Sequence, residues 1–187
     1  METYEKKIVD ILVDYQVIKL SDKRLYEFGV CQGISLLINI LTVIFIGVIF
    51  NTVCESILFT IWYTPIRCNA GGYHAKKRQQ CYLYSIGIVI IALIIISLWQ
   101  KFKIGLTITM LLLGTVIWFK SPVENKVKLL SAHEMNVYLK RTRIIVIIEF
   151  LLYVLFFRFK YTLFASTICG AVIIAGLMVI LGITTEM

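Results

Sequence analysis

Charged residues are scarce in this chain, and their scarcity excludes an ordinary soluble domain. Only 16% of the 187 residues are charged, whereas 59% are hydrophobic. A soluble domain is roughly a quarter charged and about half apolar. With so few charges the chain cannot cover a surface that faces water on all sides. The composition therefore predicts an integral membrane protein.

Proline is also rare, and its two copies leave most of the apolar runs uninterrupted. A membrane-spanning helix needs roughly 17–25 mostly apolar residues, and lipid forces backbone amides to bond within the helix. The runs lack the alternation of barrel strands. The predicted fold is therefore all-α and polytopic, with about six transmembrane helices, of which the second and fifth are short. Their apolar segments cover residues 33–50, 52–66, 82–100, 104–119, 144–157 and 161–183.

The first 30 residues lack the short apolar core and small-residue cleavage site of a signal peptide. Charged residues fill several faces of this region, and apolar residues recur at roughly helical spacing. This pattern is typical of an amphipathic helix on the membrane surface; a soluble helix docked over the loops is the alternative. We expect residues 1–30 and the segments within 33–183 to form a single membrane domain, 1–187. The apolar positions are Tyr4, Ile8, Ile11, Leu12 and Tyr15.

Lysine and arginine are distributed unevenly between the apolar segments. Fifteen of the 19 basic residues fall before residue 31, between 67 and 78, or between 120 and 143. By the positive-inside rule, both termini and the segment 67–81 face the cytoplasm. The net charge of +8 then belongs to one membrane face. It attracts anionic membrane lipid or an acidic peptide, and it does not indicate a nucleic-acid surface.

The five cysteines show no close Cys-x₂-Cys pair of the kind that structural zinc requires. Reduced cytoplasmic thiols exclude a disulfide framework. Cys31, Cys54 and Cys169 lie in or beside apolar segments and are interpreted as small apolar side chains. Cys68 and Cys81 flank the polar segment, where a metal site completed by the histidine between them is the rival interpretation.

The segment 67–81 brings a cysteine close in sequence to His74, one of only two histidines in the chain. A thiolate is the nucleophile of cysteine enzymes, and an imidazole can remove its proton. Neighbouring basic residues and the helix N-terminus favour a thiolate at Cys81. On a straight helix the two side chains would stand roughly 10 Å apart, so cooperation requires a bend within 75–80. The alternative is an interfacial histidine beside an inert cysteine.

The run Arg67-x₄-Gly72-x-His74-Ala75-x₅-Cys81, followed by Ser85, resembles the signature of the accessory gene regulator B family (AgrB). The similarity extends to the N-terminal helix, the six apolar segments and a Ser-Pro-Val-Glu-Asn step at 121–125. The resemblance implies a membrane-embedded cysteine endopeptidase that processes the precursor of a cyclic quorum-sensing peptide. It makes Cys81 the nucleophile and His74 the general base.

Further expectations follow from the resemblance. Arg67 and Gly72 match family positions tied to activity; we expect Arg67 to bind a substrate carboxylate or acyl oxygen, and Gly72 to shape the loop. An AgrD-like propeptide is the implied substrate, with its acidic tail on basic residues that include Lys126 and Lys128. The product is a thiolactone or lactone ring, and a homodimer is implied. No metal or cofactor is expected.

No third catalytic residue is evident from the sequence. Asn69 is close enough in the chain to orient an imidazole. Glu149 is an intramembrane carboxylate and so a functional candidate, or else a neutral or Arg143-paired structural acid, and His133 lies in the basic loop. Two other functional classes stay open: a small peptide transporter or exporter without proteolytic activity, and a non-catalytic membrane scaffold.

Overall fold

Six α-helices make up most of the computed structural model, which describes residues 17–72, 78–123 and 131–186, with Lys7, residues 9–13 and Tyr15. A short 3₁₀ helix, Leu20–Asp22, precedes the first helix. The described residues contain no strand, and their isolated β-bridge joins Gly71 to Val123. The all-α prediction is confirmed. The helices are α1 (Lys23–Ile49), α2 (Val53–Ala70), α3 (Arg78–Trp99), α4 (Lys103–Lys120), α5 (Ala132–Arg158) and α6 (Thr162–Glu186).

The six helices match the six apolar segments, but two of them begin well before the apolar residues do. Helix α1 begins at Lys23 rather than at residue 33, and α5 begins at Ala132 rather than at residue 144. The start of α5 is set by a capping box, in which Ser131 Oγ accepts from the Glu134 amide and the Glu134 carboxylate accepts from the Ser131 amide. A cap, not hydrophobicity, therefore decides where this helix starts.

Four of the helices contain a stretch that is long and apolar enough to cross a bilayer: α1, α3 from Gln80, α4, and α6 as far as Thr185. Together they establish a membrane protein. Helix α2 is as long as α4, at 18 residues, but carries Glu55, Pro65 and Arg67, whereas α5 has a polar first half. The total of six spans stays a prediction.

The chain divides into two compact units, residues 1–42 and 43–187. In the first unit, residues 9–13 are helical, Val9 is buried, and Lys23 pairs with Asp10 at 2.5 Å. The predicted amphipathic helix over 1–30 thus ends earlier than expected, because residues 23–30 belong to α1. Its place on the membrane surface, and the single-domain organisation, stay predictions.

Helix α6 is the centre of the second unit. It packs against α2, α3, α4 and α5, and every residue from 165 to 176 is buried. Helix α6 lies close to α4 at Gly176, where an added Cβ would lie 2.6 Å from Leu113 Cβ and 3.1 Å from the Leu113 carbonyl oxygen. Because no side chain fits there, the α4–α6 contact requires glycine.

We predict that Gly176→Ala destabilises the protein by about 1–3 kcal/mol, the usual range for an overpacked core. The matched control is Gly87→Ala in α3, where an added Cβ meets nothing within 4 Å and helix propensity favours alanine by about 1 kcal/mol. Unfolding by dodecyl sulfate in mixed micelles, followed by circular dichroism, measures both. A Gly176→Ala protein as stable as wild type would contradict this packing.

Candidate active site

The end of α2 is built around two glycines in the left-handed region of backbone space. Gly71 has φ +72° and Gly72 has φ +113°, values that other L-residues rarely adopt. Arg67 Nη1 donates to the Gly71 carbonyl. A Cβ at Gly72 would lie 2.7 Å from both Arg67 Nη1 and the Met178 carbonyl oxygen. Gly72 therefore lets α2 end against α6, and one nitrogen of Arg67 holds that end in place.

The chain that leaves α4 is bound to this same end of α2. The Val123 amide donates to the Ala70 carbonyl at 3.0 Å, and Val123 forms the β-bridge with Gly71. A Cβ at Gly71 would lie 2.5 Å from the Val123 carbonyl oxygen. Ser121 is buried beside this contact, and its hydroxyl has no hydrogen-bond partner among the described residues.

Cys81 lies in the first turn of α3 and is exposed. Helices α2 and α3 pack against each other, and Tyr63 of α2 packs against an apolar cluster that includes residues of both helices. The cysteine is accessible at the start of α3.

Three predicted site residues, His74, Lys126 and Lys128, lie outside the described residues. The bend required between His74 and Cys81 was expected within 75–80. Residues 78–80 already belong to α3, so they do not bend, and the rest of that range is not described. The pairing of imidazole and thiol stays a prediction.

The side chains of Asn69 and Ser85 each donate a hydrogen bond to a backbone carbonyl of their own helix. Asn69 Nδ2 donates to the Pro65 carbonyl at 2.8 Å, and Ser85 Oγ donates to the Cys81 carbonyl at 3.0 Å. The Ser85 hydroxyl is thus tied to the backbone of Cys81 rather than to its thiol. The side-chain oxygen of Asn69 is the atom that remains available to accept from an imidazole.

Glu149 does not pair with Arg143, although a structural pair was one of its interpretations. Glu149 is 3% exposed in α5, and its Oε2 has no hydrogen-bond partner among the described residues. Arg143 instead lies over the Trp118 ring, 5.1 Å from the centroid. His133 is exposed in the first turn of α5. Neither Glu149 nor His133 gains a described contact with Cys81.

The described residues include no group of three His, Cys, Asp or Glu side chains that could hold a metal ion. Cys68 and Cys81 are both exposed, and the third ligand of the rival metal interpretation, His74, is not described. That interpretation is therefore neither supported nor tested.

Two residues of this region, Val123 and Ser121, could not be identified as site residues from spacing alone. A long-range backbone bridge leaves no periodic signal, so the contact of Val123 with Ala70 could not be inferred from the sequence. The Ser-Pro-Val step was visible only as part of the family resemblance.

An all-α membrane protein with an exposed cysteine on a polar, glycine-shaped segment is the class that fold and site define. A family model described as accessory gene regulator B matches residues 5–183. The chain therefore belongs to the AgrB family. Membership supports a role in the processing of quorum-sensing peptides.

Three relatives agree with this assignment. A protein named as AgrB-like from Clostridium perfringens strain SM101 is 27% identical over 81% of this chain and 76% of the relative. A second AgrB-like protein, from strain 13 of that species, is 29% identical over 64% of the length of this chain and 59% of the length of the relative. Protein FsrB of Enterococcus faecalis is 28% identical over 77% of this chain and 59% of its own. No solved structure matches the chain.

We predict that Gly71→Ala loosens the contact between α2 and the chain after α4. The left-handed conformation costs a non-glycine residue about 1–2 kcal/mol, and the overlap with the Val123 carbonyl adds to that. Since 1.4 kcal/mol is a factor of ten, amide exchange at Val123 should quicken about tenfold or more. Hydrogen–deuterium exchange measures it, with Gly87→Ala as the control; unchanged protection of Val123 would contradict the predicted contact.

Proposed function

We propose that this protein is a membrane-embedded cysteine endopeptidase that cleaves and cyclises an AgrD-like propeptide. Cys81 is the nucleophile and His74 the general base. The observation that carries the proposal is the exposed thiol of Cys81 in the first turn of α3, which follows in the chain the segment that Arg67, Gly71 and Gly72 fix against α6. An exposed nucleophile can be reached by a large peptide substrate.

The first step forms an acyl-enzyme. The imidazole of His74 takes the thiol proton, and the Cys81 thiolate attacks the scissile carbonyl of the propeptide. The carbon–sulfur bond forms as the carbon–nitrogen bond breaks, and the imidazolium returns its proton to the leaving amine. The released fragment is the acidic C-terminal tail. The retained fragment is held on Cys81 as a thioester.

The second step closes the ring. A thiol or hydroxyl within the retained fragment gives its proton to His74 and attacks the thioester carbonyl, which frees Cys81. Exchange of one thioester for another is nearly even in energy, whereas direct condensation to a thioester is uphill. Water would hydrolyse the intermediate, and a site at the membrane interface helps to exclude it.

Arg67 has a positioning role in this scheme. One of its guanidinium nitrogens donates to the Gly71 carbonyl. The side chain therefore supports the loop, and it does so independently of any contact that it makes with substrate. Loop support by Arg67 is compatible with the expected contact of its guanidinium with a substrate carboxylate or acyl oxygen. Asn69, through its free side-chain oxygen, is the candidate to orient the imidazole.

The acidic tail is proposed to bind the basic chain that follows Val123. Lys126 and Lys128 lie there, and Lys140 and Arg141 follow on the first half of α5, where both are exposed. The positive-inside distribution supports a cytoplasmic site and cytoplasmic termini in a bacterial cell membrane. We further propose that the protein acts as a homodimer.

We predict that Cys81→Ala and Cys81→Ser each lower propeptide cleavage in vesicles by more than about a thousandfold, since a lost nucleophile removes the covalent route. Both should also lose the hydroxylamine-sensitive adduct with the propeptide. The matched control is Cys68→Ala, which removes another exposed thiol of the same segment.

The control keeps the result specific. Cys68→Ala should cleave at close to the wild-type rate and still form the adduct. Full cleavage by both Cys81 variants would exclude Cys81 as the nucleophile and return attention to the transporter alternative. Loss in all three variants would point to the segment's structure rather than to one thiol.

We predict that the double variant Lys126→Gln/Lys128→Gln raises KM about three- to tenfold with little change in kcat. Each exposed ion pair contributes roughly 0.2–1 kcal/mol, and salt screens it. Added salt should therefore raise KM for wild type and hardly affect the variant. Lys101→Gln/Lys103→Gln, which removes one basic residue before α4 and the first residue of α4, is the control and should leave KM unchanged. An equal rise in KM there would contradict a specific tail site.

A further inference from the structure

A polar pocket of about 250 Å³ lies where α2 and α6 begin and α3 ends, at the opposite ends of these helices from the candidate active site. A single buried water needs only about 10–15 Å³, so the pocket has room for a larger polar group. Apolar side chains of α3 and α6 complete its wall. The polar side chains that line it are those of Thr52, Glu55, Ser97, Gln100, Thr162 and Ser166.

The start of α2 carries a capping-box sequence that is not used for capping. Thr52 and Glu55 have the Ser/Thr-x-x-Glu spacing, yet Thr52 makes no side-chain cap bond, and its buried hydroxyl has no partner among the described residues. The same spacing at Ser131 and Glu134 forms the complete box. Thr52 and Glu55 therefore do not form a capping box, and both side chains line the pocket.

Three of the six polar side chains of the pocket offer only acceptors. Ser97 Oγ donates its proton to the Ile94 carbonyl, and Ser166 Oγ donates to the Leu163 carbonyl, so each presents only lone pairs to a ligand. Glu55 adds a carboxylate that makes no ion pair with any described residue. These groups suit a cation that can donate several hydrogen bonds, as a primary ammonium does.

The helix ends add the complementary requirement. Helices α2 and α6 both begin at the pocket, and the first amides of a helix have no partner within it. Such N-termini favour a negative group, phosphate among them. Glu55 already supplies a negative group in the first turn of α2, whereas the first turn of α6 has no acidic residue. A ligand with an ammonium at Glu55 and a phosphate at the start of α6 would therefore satisfy both sets of groups.

We propose that this pocket binds a phosphoethanolamine-type zwitterion, a primary ammonium joined to a phosphate. Its source is the headgroup of an aminophospholipid or the free molecule. A headgroup at the end of a membrane helix is present at high local concentration, so even a weak site would be occupied. The proposal does not depend on the function assigned to Cys81.

The test uses the full chain in vesicles that contain equal amounts of phosphatidylethanolamine and phosphatidylcholine. Native mass spectrometry of the extracted protein counts the lipids retained. Wild type should retain phosphatidylethanolamine about tenfold over phosphatidylcholine, whose quaternary nitrogen donates no hydrogen bond. Glu55→Gln should abolish the preference, whereas Glu55→Asp and Glu27→Gln, a neutralised acid outside the pocket, should keep it.

Two further arms complete the test. Thr52→Val removes the orphan hydroxyl without changing charge and should weaken the preference severalfold, with folding checked by circular dichroism. Free phosphoethanolamine that displaces the lipid would make the free molecule a competent ligand, whereas no displacement would assign the lipid as the source. Equal retention of both lipids by wild type, or an unchanged preference in Glu55→Gln, would overturn the proposal.

Discussion

The backbone contact between Gly71 and Val123 is the constraint on which the candidate site depends. It joins the end of α2 to the chain that leaves α4, and the same few residues are held from the other side by Arg67 and by the backbone of α6. Two positive φ values make the approach possible. The segment is thus fixed at three points, and the exposed Cys81 follows it in the chain.

The packing of the membrane unit serves this arrangement. Helix α6 is buried along most of its length and contacts four other helices, so it provides a fixed wall for Gly72 at one end and for the polar pocket at the other. Between these ends Glu149 stays buried with an unpaired oxygen. Burying an isolated carboxylate costs free energy unless the group is neutral or hydrogen-bonded. No described contact in α5 offsets that cost at the Glu149 Oε2 atom.

Much of the fold was predictable from the sequence, because apolar runs in a membrane chain map directly onto helices. The limits of those helices were not: α1 and α5 continue through polar residues, and only the Ser131–Glu134 cap reveals where α5 starts. For the site, Arg67, Gly72 and Cys81 could be named from one motif. The contact of Val123 with Ala70 could not, since it joins residues far apart in sequence through backbone atoms alone.

The early start of α5, at Ala132, affects how exposed basic side chains on its first half could bind an acidic partner. From Ala132 to residue 144 the helix runs for about 18 Å before the apolar stretch begins, and Lys140 and Arg141 are exposed on it. Because the helix is rigid, the positions from which these two cationic side chains extend keep a constant separation. An acidic peptide that bound along α5 would lose its own conformational freedom without requiring the protein to reorganise, so the spacing of its charges would decide how well it bound.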